Sequence, residues 1–448
     1  MTSFPISVTD PVRFAGPMPK IADVVVIGGG IIGVMTAWEL AKKGQSVVLF
    51  EKGRIAGEQS SRNWGWIRAQ GRDPAELPIM VEAAAMWRQM AAEIGEDIGL
   101  RQSGVAYLAT TKKDLARYGE WLPHAKAAGV DSRILSKAET NKLLPDASAD
   151  WAGALWTQSD MRAEPWLAVP ALARAAARDG GTLIENCAVR MIDIEAGRVA
   201  GVTTEVGRIQ TSAVVVAGGA WSSLFLRKHG VKIPQLSVRA TVAATAPLGQ
   251  VFEGAAVDKC VAFRRRQDGG YTLAPSGFHE LFVGPDALRA VSGFARQLLA
   301  DPLGTRLLPK SPKDYPDGWQ TVRDWTADDI TPFERMRVLN PMPNRRKIGA
   351  LATAFGKMFP QIGQVKIKTA WAGMIDVLPD VVPVVDTVSD VPGLTIATGM
   401  SGHGFGIGPA FGRIAAQLVT GDDPCHKLDR FRLSRFSDGS TLRLGPNL

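Results

Sequence analysis

Residues 21–51 constrain this chain more than any other stretch. Ile21-Ala22-Asp23-Val24-Val25-Val26-Ile27 is a short, β-branched apolar run, the kind that forms a strand buried on both faces. Gly28-Gly29-Gly30-Ile31-Ile32-Gly33 follows, then a helical apolar period to Lys43-Gly44. A second apolar run, Ser46-Val47-Val48-Leu49-Phe50, ends in Glu51. Strand, glycine turn, helix, strand and terminal acid make a βαβ unit, the setting in which a Gly-x-Gly-x-x-Gly fingerprint carries meaning. Gly28 permits the tight turn, Gly30 lets a pyrophosphate approach the backbone, and Gly33 lets the helix lie close on the strand. The amides that open the helix, those of Ile31 and Ile32 among them, suit phosphates. Glu51 stands 18 residues beyond Gly33, in place to accept hydrogen bonds from a ribose. The stretch reads as a dinucleotide site; the alternative is a glycine turn that serves packing alone.

At 448 residues the chain holds enough material for two or more domains. Cys187, Cys260 and Cys425 are few and far apart, which argues for a reducing, cytoplasmic setting without disulfides or a metal site. His124, His229, His279 and His426 have no metal-ligand spacing either. No apolar run approaches the ~20 residues needed to cross a bilayer, so no integral membrane segment is expected. Residues 1–20 carry four prolines and no apolar core, and read as an extended arm rather than a signal peptide. The net charge of +8 is dispersed. Its densest clusters, Arg264-Arg265-Arg266 and Arg345-Arg346-Lys347, fit a solvated surface better than a nucleic-acid site.

Helices are predicted over 74–94, 112–129, 136–144, 165–178, 286–299 and 346–359. Strands are predicted over 105–110, 233–245, 261–266, 270–273, 365–371 and 393–399, and 182–216 reads as strand-turn-strand. Residues 301–317 read as a loop. The strand before Ala217-Gly218-Gly219-Ala220-Trp221 looks like a second edge facing a cofactor. After the strand at 393–399 comes a glycine-rich turn, Ser401-Gly402-His403-Gly404-Phe405-Gly406-Ile407-Gly408, with Pro409 opening a last helix to 418. The nucleotide domain is therefore expected to be discontinuous. The divisions are an arm at 1–19, a nucleotide domain at 20–100, 158–235 and 368–430, a second domain at 101–157 and 236–367, and a tail at 431–448.

Three ordered motifs, Gly28-Gly29-Gly30-x-x-Gly33 with Glu51, Ala217-Gly218-Gly219-Ala220-Trp221, and Thr398-Gly399-x-Ser401-Gly402-His403-Gly404-Phe405, resemble the FAD-dependent D-amino-acid oxidase, glycine oxidase and sarcosine oxidase superfamily. The resemblance covers nearly the whole chain. It implies an α/β fold: a discontinuous Rossmann-like FAD-binding domain with an α+β substrate domain on a mixed or antiparallel sheet. It implies non-covalent FAD. Gly28, Gly30, Ile31, Ile32, Gly33, Glu51 and Lys52 would hold the ADP half. Ser60, Ser61, Arg62, Asn63, Trp64, Val189, Ala217, Gly218 and Trp221 would line its course. Gly373, Gly402, Gly404, Phe405, Gly406 and Ile407 would face the flavin. The implied chemistry is oxidation of a C–N bond in an amine or a D- or N-substituted amino acid. Hydride passes to flavin N5, the imine hydrolyses, and oxygen or an electron carrier takes the electrons. A helix-opening glycine turn offers amides and a positive dipole end to a reduced flavin; packing alone is again the alternative.

Several positions depart from familiar branches. Ile375 stands where glycine-oxidase-like members carry a carboxylate-clamping arginine, and Gly406 where sarcosine oxidases carry a carboxylate-binding lysine. Gly373 stands where some members link flavin through a cysteine. Trp371-x-Gly373-x-x-Asp376 is similar to the γ-glutamylputrescine oxidoreductase branch. Asp376 then reads either as a partner for a substrate ammonium or as a turn cap. Arg68 matches another carboxylate-binding arginine of sarcosine oxidases, with a surface arginine as the alternative. Arg265 and Tyr271, on strands of the second domain, and His403, beside the flavin, complete the substrate candidates; the alternatives are a solvated edge strand for Arg265, a core or rim position for Tyr271, and a histidine that shapes the turn. Trp66 and Trp64 would wall the pocket for a bulky substrate or fill the domain interface. No residue stands out as a catalytic acid or base. The expected partners are a small amine or amino acid and an electron acceptor, with no nucleic acid and with room for a homo-oligomer. Two other functions fit the same motifs: a flavin-dependent dehydrogenase of a 2-hydroxy acid or polyol phosphate, and a flavoprotein subunit of a multi-subunit opine-type oxidase.

Overall fold

The computed structural model describes residues 4–300 and 304–445. The apolar runs of the nucleotide unit form the centre of a six-stranded sheet. Its order is Val384–Thr387, Leu394–Thr398, Val214–Val216, Val24–Ile27, Val47–Phe50, Thr182–Ile184. The inner pairings are parallel, with Val25 opposite both Val48 and Val214; only the edge strand Val384–Thr387 runs antiparallel. Alternation explains why these strands are apolar throughout. Val24 and Val26 face one core, packed by the helices Ile31–Lys42, Pro165–Arg178 and Gly404–Thr420. Val25 faces a second core under the antiparallel strands Val189–Glu195, Arg198–Thr204 and Gly207–Gln210.

The C-terminal helix differs from expectation at its start. It begins at Gly404, with Pro409 inside it rather than at its head. Gly402 keeps the expected turn, at φ +83°, but the glycines after Gly404 serve close packing. A Cβ on Gly408 would lie 2.9 Å from the Ile31 side chain, one on Gly412 2.4 Å from Met35 Cβ, and one on Gly406 3.1 Å from Ile67 Cα. The helix can thus lie flat against both the nucleotide helix and the Trp66–Ile67 segment.

The larger sheet gathers Val105–Ala109, Arg133–Ser136, Gly153–Thr157, the strands from Leu236–Thr245 to Thr305–Leu308, and Ile367–Val377. Ile367–Val377 is longer than predicted and pairs along its whole length with Leu236–Thr245, so Gly373 and Asp376 lie on a strand rather than in a turn. The predicted helix at 286–299 is two helices, Pro285–Arg289 and Val291–Ala300. The stretch read as a loop at 301–317 contains the strand Thr305–Leu308, which pairs parallel with His279–Phe282. Four residues are too short to show a period, so only the pairing reveals that strand.

Candidate active site

One cavity of ≈ 660 Å³ runs from the C-terminal edge of the six-stranded sheet, past the N-terminus of the last helix, to exposed Leu288, Val291 and Leu307 beside the larger sheet. Open α/β sheets bind ligands at this edge.

At the nucleotide end the turn is built as the spacing implied. Gly28 has φ +113°, and a Cβ there would lie 2.4 Å from the Ala217 carbonyl oxygen. The Ile31 amide donates to Ser60 Oγ at 2.9 Å. Glu51 accepts the Gly29 and Gly53 amides at 2.7 Å each. Burial pushes its carboxyl up to about 7, against the pull of Lys52. Lys52 pairs with Glu58 at 2.6 Å and lies 4.5 Å from the centre of the Trp221 ring. Arg62 braces the middle of the cavity through the Gly57 and Ala372 carbonyls and Asn340, and burial lowers its pKa to about 10. Asn63, Trp64, Val189, Ala217 and Gly218 also line this course. A cradle that any Cβ would fill, leading to an acid at the strand tip and continuous with the cavity, fits a dinucleotide whose far end lies by the C-terminal helix.

At that far end Gly373, Gly402, Gly404 and Phe405 line the wall. No cysteine replaces Gly373, in keeping with a non-covalent cofactor. Gly406 and Ile407 point elsewhere: Gly406 rests on the Ile67 backbone, its carbonyl takes the Trp87 indole N–H at 2.8 Å, and Ile407 is in the core. No lysine side chain fits at Gly406. Gly33 and Ser61 also lie off the lining. Gly33 seats the helix on the turn, and Ser61 accepts the Ile6 amide at 3.2 Å.

The substrate candidates separate. Trp66, Arg68, Asp376 and His403 line the cavity; Arg265 and Tyr271 do not. Arg265 donates to the Leu248 carbonyl at 3.0 Å and lies over Tyr271. Tyr271 is fully buried, with its hydroxyl on the Val251 amide and its ring against Phe355. Tyr271 belongs to a core away from the cavity and half-buried Arg265 lies against it, so neither lines the pocket. Asp376 spends its carboxylate on the Gly399 amide at 2.8 Å and the Gln235 side chain at 3.1 Å, fastening its strand to the end of Leu394–Thr398. Burial raises its pKa to about 6. Trp64 and Trp66 meet edge to face at 5.3 Å. Arg68 donates to the Gln70 carbonyl and lies 5.5 Å from the Tyr107 ring centre. His403 caps the last helix, and burial beside Arg72 and Arg68 holds its pKa well below the usual histidine value.

Other lining residues were not singled out from the sequence. Leu236, Val238, Ala240 and Val242 form one face of a strand, joined by Leu281 and Phe294. Their period-two spacing was legible, but which face met the cavity was not. His279 and Arg72 also line the wall, with no local signal to mark them. Among the described residues no group of three or more histidine, cysteine or acidic side chains could hold a metal, and no helix is long and apolar enough to cross a membrane.

Comparison with known proteins agrees with this geometry. The structure superposes on L-amino acid deaminase from Proteus myxofaciens with a TM-score of 0.91 and 30% identity, over 97% of each chain. Glycine oxidase from Geobacillus kaustophilus is 26% identical over 92% of this chain and 97% of its own. Human mitochondrial sarcosine dehydrogenase is 36% identical over 230 residues, half of this chain but only 25% of that protein's length. The family described as FAD dependent oxidoreductase matches residues 23–418. With that match spanning most of the chain, and with the glycine cradle, the Glu51 carboxylate and the continuous cavity in place, this protein belongs to the DAO family of FAD-dependent oxidoreductases.

Proposed function

We propose that the cavity oxidises the C–N bond of an amino acid that carries a bulky apolar side chain. One observation carries the reading: the outer cavity is apolar on nearly every side, with Arg68 set into it. Trp66, Leu236, Val238, Leu281 and Phe294 provide the apolar walls. The fork of Arg68 uses one nitrogen on Gln70, and its remaining N–H groups take no protein partner among the described residues. A planar guanidinium suits a carboxylate, which it can grip with two parallel hydrogen bonds. The amino-acid substrates in the names of the Proteus and Geobacillus proteins support the same choice.

Bound FAD supplies a hydride acceptor; the chain supplies position and environment. Arg68 fixes the carboxylate, which sets where the α-carbon lies. Trp64, Trp66 and the apolar strand face take up the side chain and displace water. His403 stays neutral, so it adds no positive charge beside the substrate amine. Ile375 and Gly406 leave Arg68 without a second cation from those two positions.

Arg68→Ala tests the clamp. Losing a hydrogen-bonded charge contact costs about 1.5–3 kcal/mol, a rise in KM of roughly 10- to 150-fold. The rise is expected for a carboxylated substrate and not for its decarboxylated amine. Equal loss on both, or no loss on either, would remove Arg68 from the substrate site.

A further inference from the structure

Next to His403 lies a buried pair, Arg72 and Glu76, that the mechanism above leaves unused. Arg72 and Glu76 are only 2% and 1% exposed. Arg72 donates to the Arg68 carbonyl at 3.1 Å and to the His403 carbonyl at 3.0 Å, which joins the loop after Ile67 to the head of the last helix. Its Nη1 has no hydrogen-bond partner, and neither do the two carboxylate oxygens of Glu76 or Nδ1 of His403. These buried atoms face one another: Glu76 Oε2 is 3.8 Å from His403 Nδ1 and 3.9 Å from Arg72 Nη1. A shift of about 1 Å brings either contact into hydrogen-bond range. Buried polar atoms are rarely left unpaired. The His403 side chain is 22% exposed and lines the cavity, so with Nδ1 buried it is the rest of the ring that faces the cavity.

We propose that Glu76 is a positioning residue that sets the tautomer of His403, and thereby whether the imidazole offers the cavity a hydrogen-bond donor or an acceptor. The inference rests on the reading of this cavity as the substrate site. With Glu76 protonated, its hydroxyl donates to Nδ1 and the ring proton sits on Nε2. With Glu76 ionised, Nδ1–H donates to the carboxylate, and Nε2 carries a lone pair able to accept a hydrogen bond from a substrate ammonium. Burial raises the Glu76 pKa to about 7, opposed by Arg72 and Arg68 and reinforced by Asp73, which itself pairs with Arg430. His403 remains neutral on both sides of that pH. The acceptor form therefore belongs to the alkaline side and the donor form to the acid side. Asp160 and Tyr107 also act on the Arg72 charge, and Asp160 is also raised to about 7, so it is the competing source of any transition.

Nitrogen NMR of the flavin-loaded protein, with labelled histidine and no substrate, reads the tautomer directly. The His403 signals are identified by their loss in His403→Asn. Nδ1 is expected to pass from an unprotonated to a protonated shift as pH rises through neutrality, and Nε2 the reverse. Glu76→Gln is expected to abolish the transition and Asp160→Asn to preserve it. A wild-type His403 whose nitrogens do not exchange character across that range would overturn the proposal, as would a transition that survives Glu76→Gln or vanishes in Asp160→Asn. Should Glu76→Gln fail to fold, the wild-type titration and Asp160→Asn still decide. Because this readout needs no turnover, it stands or falls separately from the proposed substrate.

Discussion

Gly33→Val is expected to leave a protein that purifies without flavin. A Cβ at this position would lie 1.9 Å from the Gly28 carbonyl oxygen and 3.3 Å from Val26 Cγ1. The first of these is backbone and cannot rotate away. Nor can Gly28 retreat, because it is held at φ +113° with the Ala217 carbonyl pressed against it. The nucleotide helix must therefore lift from its strand, carrying the Ile31 amide off Ser60 and opening the phosphate cradle. Gly44→Ala is the control. It too has positive φ, +74°, but nothing lies within 4 Å of the added carbon. Its cost is backbone strain of about 1–2 kcal/mol, and flavin is expected to stay bound. The flavin-to-protein ratio from visible absorbance checks both variants. Full occupancy in Gly33→Val would mean that the turn does not hold the cofactor.

Glu164→Ala is expected to destabilise the protein by about 3–5 kcal/mol, read as a shift in denaturant midpoint. Glu164 caps the helix Pro165–Arg178 in sequence but directs its carboxylate across to Arg264, with hydrogen bonds of 3.0 and 2.9 Å. Both side chains are almost wholly buried, at 2% and 0% exposed, so removal of the acid strands a guanidinium in the interior. The Gln267 amide loses its acceptor as well. The pair ties the helix under the six-stranded sheet to a strand of the larger one, so flavin release is expected to occur earlier in the same transition. A loss below about 1 kcal/mol would place the pair with ordinary surface bridges.

The nucleotide half was legible because its signals are local. Val24–Ile27, Gly28 to Gly33 and Val47–Phe50 lie within one short stretch, and each residue type has a single geometric use there. The helix Pro165–Arg178 was bounded correctly for the same reason, by a proline at its start and glycines past its end. The C-terminal motif was located but misread in form. Glycine marks both turns and close helix contacts, and only the neighbours Ile31, Met35 and Ile67 reveal which applies. Arg265 and Tyr271 lie off the cavity, and the sequence could not place them, because alternation tells which residues share a face but not which face meets the cavity. Arg72 and Glu76 were invisible because their partner, His403, lies more than 300 residues away in the chain, the Arg72–His403 contact spanning 331 positions. Asp376 drew attention as a charge, yet its surroundings are amide donors supplied by a strand end that no local pattern specifies.

The most direct test of the amino-acid reading is anaerobic mixing of the flavin-loaded protein with matched substrate pairs, followed by loss of the flavin's visible absorbance. Each pair shares one apolar side chain on an α-amino acid and on the corresponding 2-hydroxy acid. Bleaching by the amino acid alone, faster with a bulky apolar side chain than with glycine, is the expected result. Bleaching by the hydroxy acid alone would contradict it.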